Sequence, residues 1–295
     1  MTSAPITKTR AEAGALPVLG LLAAMLSVQV GAAFAKGLFP VVGAQGTTTL
    51  RLVAGALMLA MVLRPWRVRP SRAVLPWLIA YGVTLCFMNL LFYAALTRIP
   101  LGICVALEFT GPLLVATLTS HRARDLAWVA LALAGVVLLS PFADVRQALD
   151  PIGVLLALAA GGCWALYIFF AQKAGAELGG RTTAWGMAIA AALSLPFGLT
   201  DIVPKIAEPH VLALAVIVGL LSCALPFWLE MMALTRIPAR VYGMMACLEP
   251  ALGALIGFLF LHERLTALQC AGIAAVILAA FGTAITARPP VPSPA

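Results

Sequence analysis

The sequence predicts an all-α integral membrane protein, with ten transmembrane helices arranged as two inverted five-helix repeats. Three observations predict this fold. Of the 295 residues, 63% are hydrophobic and only 10% are charged. Long apolar runs alternate with short loops, and a six-residue segment recurs 138 residues later. A hydrocarbon core about 30 Å thick takes roughly 20 residues per helix, so ten helices use nearly the whole length. A soluble domain, with about 25% charged residues, is excluded.

Glycine, proline and charged residues bound the apolar runs and so define the predicted helices. The runs are rich in Ala, Leu and Gly and lack the alternation of lipid-facing β-strands. The predicted spans are 17–38, 46–63, 74–96, 101–119, 126–141, 152–171, 182–200, 209–234, 239–260 and 266–286. We expect the first span to be retained, because it is long and lacks an A-x-A-like cleavage signal.

An internal repeat divides the chain into two halves. The segment ALTRIP at 95–100 recurs at 233–238, and two further matches, Pro112 with Pro250 and Asp125 with Glu263, keep the same offset. We expect a first repeat at 17–141 and a second at 152–286, between a cytoplasmic segment 1–16 and a disordered cytoplasmic tail 287–295. The offset covers five helices, an odd number, so the halves should be inverted. Many secondary transporters follow this plan, with a channel or receptor as the alternative.

Basic residues in the loops predict the orientation. With the amino terminus inside, thirteen Lys and Arg residues fall on the cytoplasmic side and four on the other. The positive-inside rule then places both termini in the cytoplasm. The net charge of +8 is therefore a topology signal, and no nucleic-acid partner is expected. All six cysteines fall inside predicted spans without a C-x-x-C pair, so no disulfide, metal site or other cofactor is expected.

Two acidic residues in predicted spans are the first candidates for a functional site. Glu108 stands one turn before Gly111 and Pro112, which loosen the helix and free backbone carbonyls. Glu249 aligns with Gly111 in the repeat, and so lies on nearly the same helical face as Glu108. Because an ionisable group in the bilayer needs a partner or a wet cavity, we expect both acids to bind substrate or protons. A structural, hydrogen-bonded acid is the alternative for each.

Lys36 and Arg51 are the two basic residues left for the membrane region. Arg51 cannot lose its charge, so its burial demands an acidic partner, a cage of carbonyls or an anionic ligand. We expect both cations to contribute to substrate binding. The alternative is that Lys36 extends to the outer interface and Arg51 forms a structural lock with a glutamate. Glu230, near the end of the eighth predicted helix, is a candidate gate or interface anchor.

Polar and aromatic side chains complete the predicted site. Asn89 and Gln29, with Trp164 and Tyr167, are placed to line a polar cavity with aromatic walls, although membrane aromatics often only pack. The sequence contains no phosphate-binding loop, no zinc-protease helix and no Ser/His/Asp grouping. We therefore expect no catalytic residues and no enzyme activity.

Several of these segments carry a family resemblance: FAKGLFP at 34–40, RPWR at 64–67, PLGI at 100–103, VALEFTGP at 105–112 and LEMMALTR at 229–236. From about residue 17 to 286, the sequence resembles the drug/metabolite transporter superfamily, in its EamA branch. Within that branch it is similar to the bacterial inner-membrane exporters of threonine and homoserine. The resemblance implies a secondary active exporter of small amino acids, coupled to proton entry by antiport, with the lipid bilayer as its surroundings. Differences such as Cys86 and Cys247 leave the exact amino acid open.

The charged residues are compatible with that implication. A zwitterionic amino acid needs a cation for its carboxylate and an acid for its ammonium, and Arg51, Lys36 and Glu108 supply both. An exporter of hydrophobic cations or drugs is the alternative within transport, and the two cations argue against it. A carrier of phosphorylated anions would need more intramembrane Arg and Lys. A non-transporting membrane sensor predicts a soluble signalling domain, which the sequence lacks. The oligomeric state stays open.

Overall fold

The computed structural model describes residues 15–113, 123–139, 149–234 and 245–286, and the regular structure in these ranges is helical. The tail 287–295 and most of the segment 1–16 lie outside the described residues. A short 3₁₀ turn, Pro65–Arg67, and a π-helix, Leu220–Ala224, accompany the α-helices. The α-helices are α1 (Ala15–Leu63), α2 (Leu75–Leu96), α3 (Leu101–Glu108), α4 (Ala123–Leu139), α5 (Pro151–Leu178), α6 (Arg181–Ile202), α7 (Pro209–Gly219), α8 (Leu225–Leu234), α9 (Glu249–Leu261) and α10 (Ala267–Thr286).

Five of the described helical segments are long and apolar enough to cross a membrane. They are Pro17–Leu63, Leu75–Leu96, Pro151–Leu178, Arg181–Ile202 and Pro209–Leu229, and shorter apolar helices cover Leu101–Leu113, Glu249–Leu261 and Ala267–Gly282. Their outward side chains are apolar and exposed, as Met61 (66%) and Leu155 (67%) illustrate. The predicted all-helical class is thereby confirmed. The arrangement as ten spans in two inverted repeats stays a prediction.

Helix α1 contains the first two predicted spans, 17–38 and 46–63, joined by a kink instead of a loop. Val42 and Gly43 leave the helical conformation, and Gly43 has a φ of 63°, a left-handed value that favours glycine. Pro40, just before the kink, removes one backbone donor from the helical ladder. Two non-helical residues therefore separate the two helical parts of α1, which apolar periodicity alone does not reveal.

Two helices are interrupted at equivalent points of the sequence repeat. Helix α3 ends at Glu108, and a single turn residue with near-helical dihedrals, Phe109 (φ −64°, ψ −15°), separates it from one further helical turn up to residue 113. Met245 and Ala246 are helical, and a turn at Cys247 and Leu248 separates them from α9, which starts at Glu249. The sequence predicted a loosened helix at Gly111 and Pro112, just after Phe109, and predicted no break in the span 239–260. Pro112 and Pro250, which follow the two interruptions, cannot donate a backbone hydrogen bond to the preceding turn.

The helices pack so that the two halves of the sequence meet along their length. Helix α1 packs against α6, α7, the π-helix and α8, while α2 packs against α5 and α6. Helix α3 packs against α9 and α5, and α4 against α10. Within this bundle, α3 is wholly buried, because every residue from Leu101 to Glu108 lies in the interior. Glu108, the last residue of α3, therefore lies in the interior, where α3 of the first half packs against helices of the second half.

Candidate functional site

Arg51 lies in the second part of α1, with its side chain in the protein interior and 8% of the residue exposed. One terminal nitrogen, Nη1, donates to the hydroxyl of Tyr93 at 2.8 Å, and the other, Nη2, donates to Oδ1 of Asn89 at 2.7 Å. The guanidinium carbon lies 4.8 Å from the centroid of the Tyr93 ring. Asn89 is itself fixed, because its Nδ2 donates to the carbonyl of Leu85 at 2.7 Å. Helix α2 thus orients the guanidinium through two neutral acceptors.

The guanidinium keeps unused hydrogen-bonding capacity. Its Nε is buried and has no hydrogen-bond partner among the described residues. Of the carboxylates that the structure describes, none lies within 4.0 Å of Arg51, although ion pairs form elsewhere. A buried positive charge with neutral acceptors and a free N–H is costly, and an anionic ligand would remove that cost. This arrangement can hold a carboxylate.

Glu108 ends α3 and is 8% exposed. In the described part of the chain, hydrogen-bond donors reach the carboxylates of Asp150, Glu177 and Glu263, and none reaches that of Glu108. Its charge interacts electrostatically with those of Arg51 and Glu249. The structure therefore brings together two carboxylates and one guanidinium, from α3, α9 and α1. Such a group can accept a proton or a cationic head group.

The backbone around Glu108 is held by a close crossing of α3 and α5. A Cβ added at Gly161 would lie 2.6 Å from the carbonyl oxygen of Glu108, and one at Gly111 would collide with the carbonyl oxygen of Gly161. Phe109, next to Glu108, packs edge-on against Trp164 of α5, with ring centroids 5.8 Å apart. Two glycines and an aromatic pair thus fix the break that follows Glu108.

The contacts of Lys36 do not involve the central group of Arg51, Glu108 and Glu249. The Nζ of Lys36 is 2.7 Å from Oε1 of Glu263, in the connection between α9 and α10. The other oxygen, Oε2, accepts the backbone N–H of Leu101 at 2.8 Å. Both ionic partners border an open depression of about 550 Å³ at this end of the bundle. The expected pairing of Lys36 with substrate stays a prediction, and the structure supplies Glu263 as its partner.

The other predicted site residues have different surroundings. Tyr167 pairs with Tyr81, with 3.4 Å between their hydroxyls and 4.9 Å between ring centroids, in the apolar cluster of α2, α5 and α6. Gln29 is 2% exposed in α1 and faces Gly253 of α9. Glu230, the candidate gate, falls within α8, but its side chain lies outside the described residues. Trp164 contacts the Glu108 segment through Phe109, and the ring of Tyr167 packs against Tyr81.

Sequence reasoning missed two residues of these groups. Tyr93 supplies both a hydroxyl and a ring face to Arg51. It lies four residues after Asn89, one helical turn along the same face, and that spacing was the available signal. Glu263 was noted only as a repeat match of Asp125 and assigned to a loop. Its pairing with Lys36 across 227 residues has no local signal.

Together the fold and the site define a membrane-spanning helical protein with opposite charges gathered beside two interrupted helices. A model of the EamA-like transporter family matches residues 151–285. The threonine/homoserine exporter RhtA of Escherichia coli (strain K12) is 46% identical to this chain over 273 residues, 92% of each chain. RhtA of Salmonella typhimurium (strain LT2) shows the same identity and coverage.

The chain therefore belongs to the EamA-like transporter family, and the predicted family is confirmed. A protein crystal structure aligns with a TM-score of 0.60 and 21% identity, over 94% of this chain and 98% of that chain. At this identity the alignment shows a shared fold alone.

Proposed function

We propose that this protein is a secondary active exporter of small amino acids of the threonine/homoserine type, working by proton-coupled antiport in the bacterial inner membrane. The observation that carries the proposal is the burial of both Arg51 and Glu108 in the interior without an ion pair between them. Both are buried charges with unused hydrogen-bonding capacity towards the described residues. The relatives named RhtA support the choice of substrate.

Substrate binding would use the two ends of the charged group. Arg51 is the partner for the substrate carboxylate, with Asn89 and Tyr93 as positioning residues that hold the guanidinium. Glu108, supported by Glu249, is the partner for the ammonium group. Charge-assisted hydrogen bonds of this kind are stronger than neutral ones, so both ends of the zwitterion contribute to affinity. Trp164 contributes indirectly, by packing on Phe109.

Proton coupling follows from the charge balance of the same group. With both carboxylates ionised, Glu108, Glu249 and Arg51 together carry one excess negative charge, which a proton or the substrate ammonium can balance. When the substrate leaves, a proton can take the place of its ammonium at Glu108 or Glu249. The proton and the substrate ammonium then compete for one carboxylate, and exchange of protons for substrate requires such competition.

The position of the site supports alternating access. Transporters built from inverted repeats bind substrate beside discontinuous helices at corresponding positions of the two halves. The interruptions at Phe109 and Cys247 are 138 residues apart, the same offset as the sequence repeat. We therefore infer that 17–141 and 152–286 are inverted halves that rock about the Glu108 region. With thirteen basic residues against four, both termini would be cytoplasmic.

An exporter of lipophilic cations is the second candidate. The pairs Phe109 with Trp164 and Tyr81 with Tyr167 provide aromatic surface near α5 that such a molecule could contact. The buried Arg51 argues against it, because a cationic ligand without a carboxylate would leave the guanidinium without an anionic partner. A membrane sensor without transport activity predicts no substrate flux at all.

Purified protein in proteoliposomes distinguishes these possibilities. An imposed pH gradient should drive labelled homoserine and threonine across the bilayer, and dissipating the gradient should abolish accumulation. Flux of a lipophilic cationic dye without amino-acid flux would support the drug exporter and overturn the proposal. Absence of both fluxes in folded protein would support the sensor. In cells, overproduction should raise tolerance to excess homoserine.

A further inference from the structure

Glu263 joins three separate parts of the chain at one end of the bundle. Its Oε1 is 2.7 Å from Lys36 Nζ in α1, and its Oε2 accepts the N–H of Leu101, the first residue of α3, at 2.8 Å. Lys36 and Leu101 belong to the first half of the sequence and Glu263 to the second. This one carboxylate therefore connects the two halves directly.

The conformation of the connection between α9 and α10 directs the Glu263 carboxylate towards Lys36 and Leu101. His262 adopts a left-handed conformation with a φ of 53°, and the backbone N–H of Glu263 donates to the carbonyl of Gly257 at 3.1 Å. Gly257 of α9 leaves room for Oε2 of Glu263, which a Cβ at that position would displace. A left-handed residue at the turn and a glycine facing the carboxylate together accommodate Glu263 in its present position.

The pair stands where a transport pathway would open to the outside. It borders the open depression of about 550 Å³, lined also by Phe39, Pro40 and residues 96–100. The charge bias puts the kink of α1 and the end of α9 on the non-cytoplasmic side. Helix α3 begins at Leu101, which donates to Glu263, and ends at Glu108, so one buried helix connects the pair to the central acid.

We propose that the Lys36–Glu263 pair is the outer gate of the transport pathway, closed in this structure and opened when the substrate leaves. The proposal rests on the proposed function, because it assumes a pathway that runs past Glu108. The side chains are 24% and 13% exposed, so water reaches both charges and their separation does not strand a buried ion. A pair of this kind can close a pathway and still open during each cycle.

The sequence repeat provides separate support. Asp125 stands 138 residues before Glu263, and Lys173 stands 137 residues after Lys36, one residue short of the repeat offset, with a Phe-Ala pair before each lysine. The same opposite charges therefore occur in both halves, at ends that the charge bias assigns to opposite faces. Alternating access needs two gates that form in turn, and inverted repeats build them from equivalent residues. The side chain of Asp125 lies outside the described residues.

Reversible cross-linking tests the gate. The variant Lys36→Cys with Glu263→Cys, with the six native cysteines replaced, is reconstituted and treated with a short bifunctional thiol reagent that releases on reduction. Homoserine flux should fall at least tenfold after cross-linking and return after reduction. The matched control is Arg98→Cys with Asp150→Cys, an ion pair of the same 2.7 Å length that also lies beside the depression but joins the tightly packed helices α2 and α5. Cross-linking there should leave at least half of the flux.

A second measurement needs no substrate. The variant Glu263→Gln keeps an acceptor for the N–H of Leu101 but loses the charge that holds Lys36. With Cys104 as the sole cysteine, buried in this structure, an impermeant thiol reagent added outside should label the variant several times faster than the parent. Unchanged labelling, or full flux in cross-linked protein, overturns the gate. If the parent moves no homoserine, the proposed function fails, and the Cys104 labelling still decides the gate.

Discussion

The substitution Glu108→Gln separates a transport role from a structural one, because the structure gives the two roles different consequences. Glutamine preserves the shape of the side chain and removes its charge and its ability to titrate. In the described part of the chain, no donor reaches the Glu108 carboxylate, so the substitution breaks no observed hydrogen bond. It also removes the repulsion between Glu108 and Glu249. The free energy of unfolding should therefore change by less than about 1 kcal/mol.

The effect on transport should be much larger. A hydrogen bond between an ionised carboxylate and the substrate ammonium contributes roughly 1.5–3 kcal/mol, which corresponds to an affinity loss of roughly 10- to 150-fold. Glu108→Gln also cannot bind the coupling proton, so proton-driven flux should fall more steeply than exchange of homoserine across the bilayer without a gradient. Glu108→Asp keeps the charge, and should keep partial activity with a changed pH dependence.

The assay is homoserine flux into proteoliposomes under an imposed pH gradient, normalised to folded transporter measured by thermal melting in detergent. Gln→Glu reversion provides the control for secondary changes during expression. Wild-type flux and wild-type pH dependence in Glu108→Gln would refute the reasoning and make Glu249 the acid to test next. Flux that falls only in proportion to folded protein would identify Glu108 as a structural acid.

Three further predictions follow from particular contacts. Asn89→Asp gives Arg51 an ionised partner at the present 2.7 Å contact and loses the amide that donates to the Leu85 carbonyl; the new carboxylate should compete with that of the substrate and raise the KM for homoserine about tenfold in the folded fraction. Gly111→Ala should sharply reduce the yield of folded protein, because its Cβ would collide with the Gly161 carbonyl, whereas Gly162→Ala, with no atom within 4 Å, should be tolerated in the same detergent-extraction assay. For topology, single cysteines at Arg69 and Arg122 should be shielded from an impermeant thiol reagent outside the cell, and one at Asp144 should react; the reverse pattern would invert the orientation.

The sequence by itself determined the helical membrane class, the family and most helix limits. Long apolar runs in lipid form helices, because the backbone has to satisfy its own hydrogen bonds there. The apolar composition and the glycine, proline and charged residues between the runs were therefore enough to locate Leu75–Leu96, Arg181–Ile202 and the other long spans. The scarcity of charge inside those spans likewise drew attention to Arg51, Glu108 and Glu249, because each ionisable group there has to be compensated.

Only the tertiary structure decided which of those charges lie together. Arg51 and Asn89 are 38 residues apart in the sequence and 2.7 Å apart in the fold, while Lys36, which looks equivalent to Arg51 in the sequence, pairs with Glu263 instead. The apolar pattern assigns residues to helices but carries no information on which helix faces which. That choice depends on close backbone crossings such as Gly111 against Gly161, and on interruptions such as Phe109 and Cys247, where two helices turn at the candidate site.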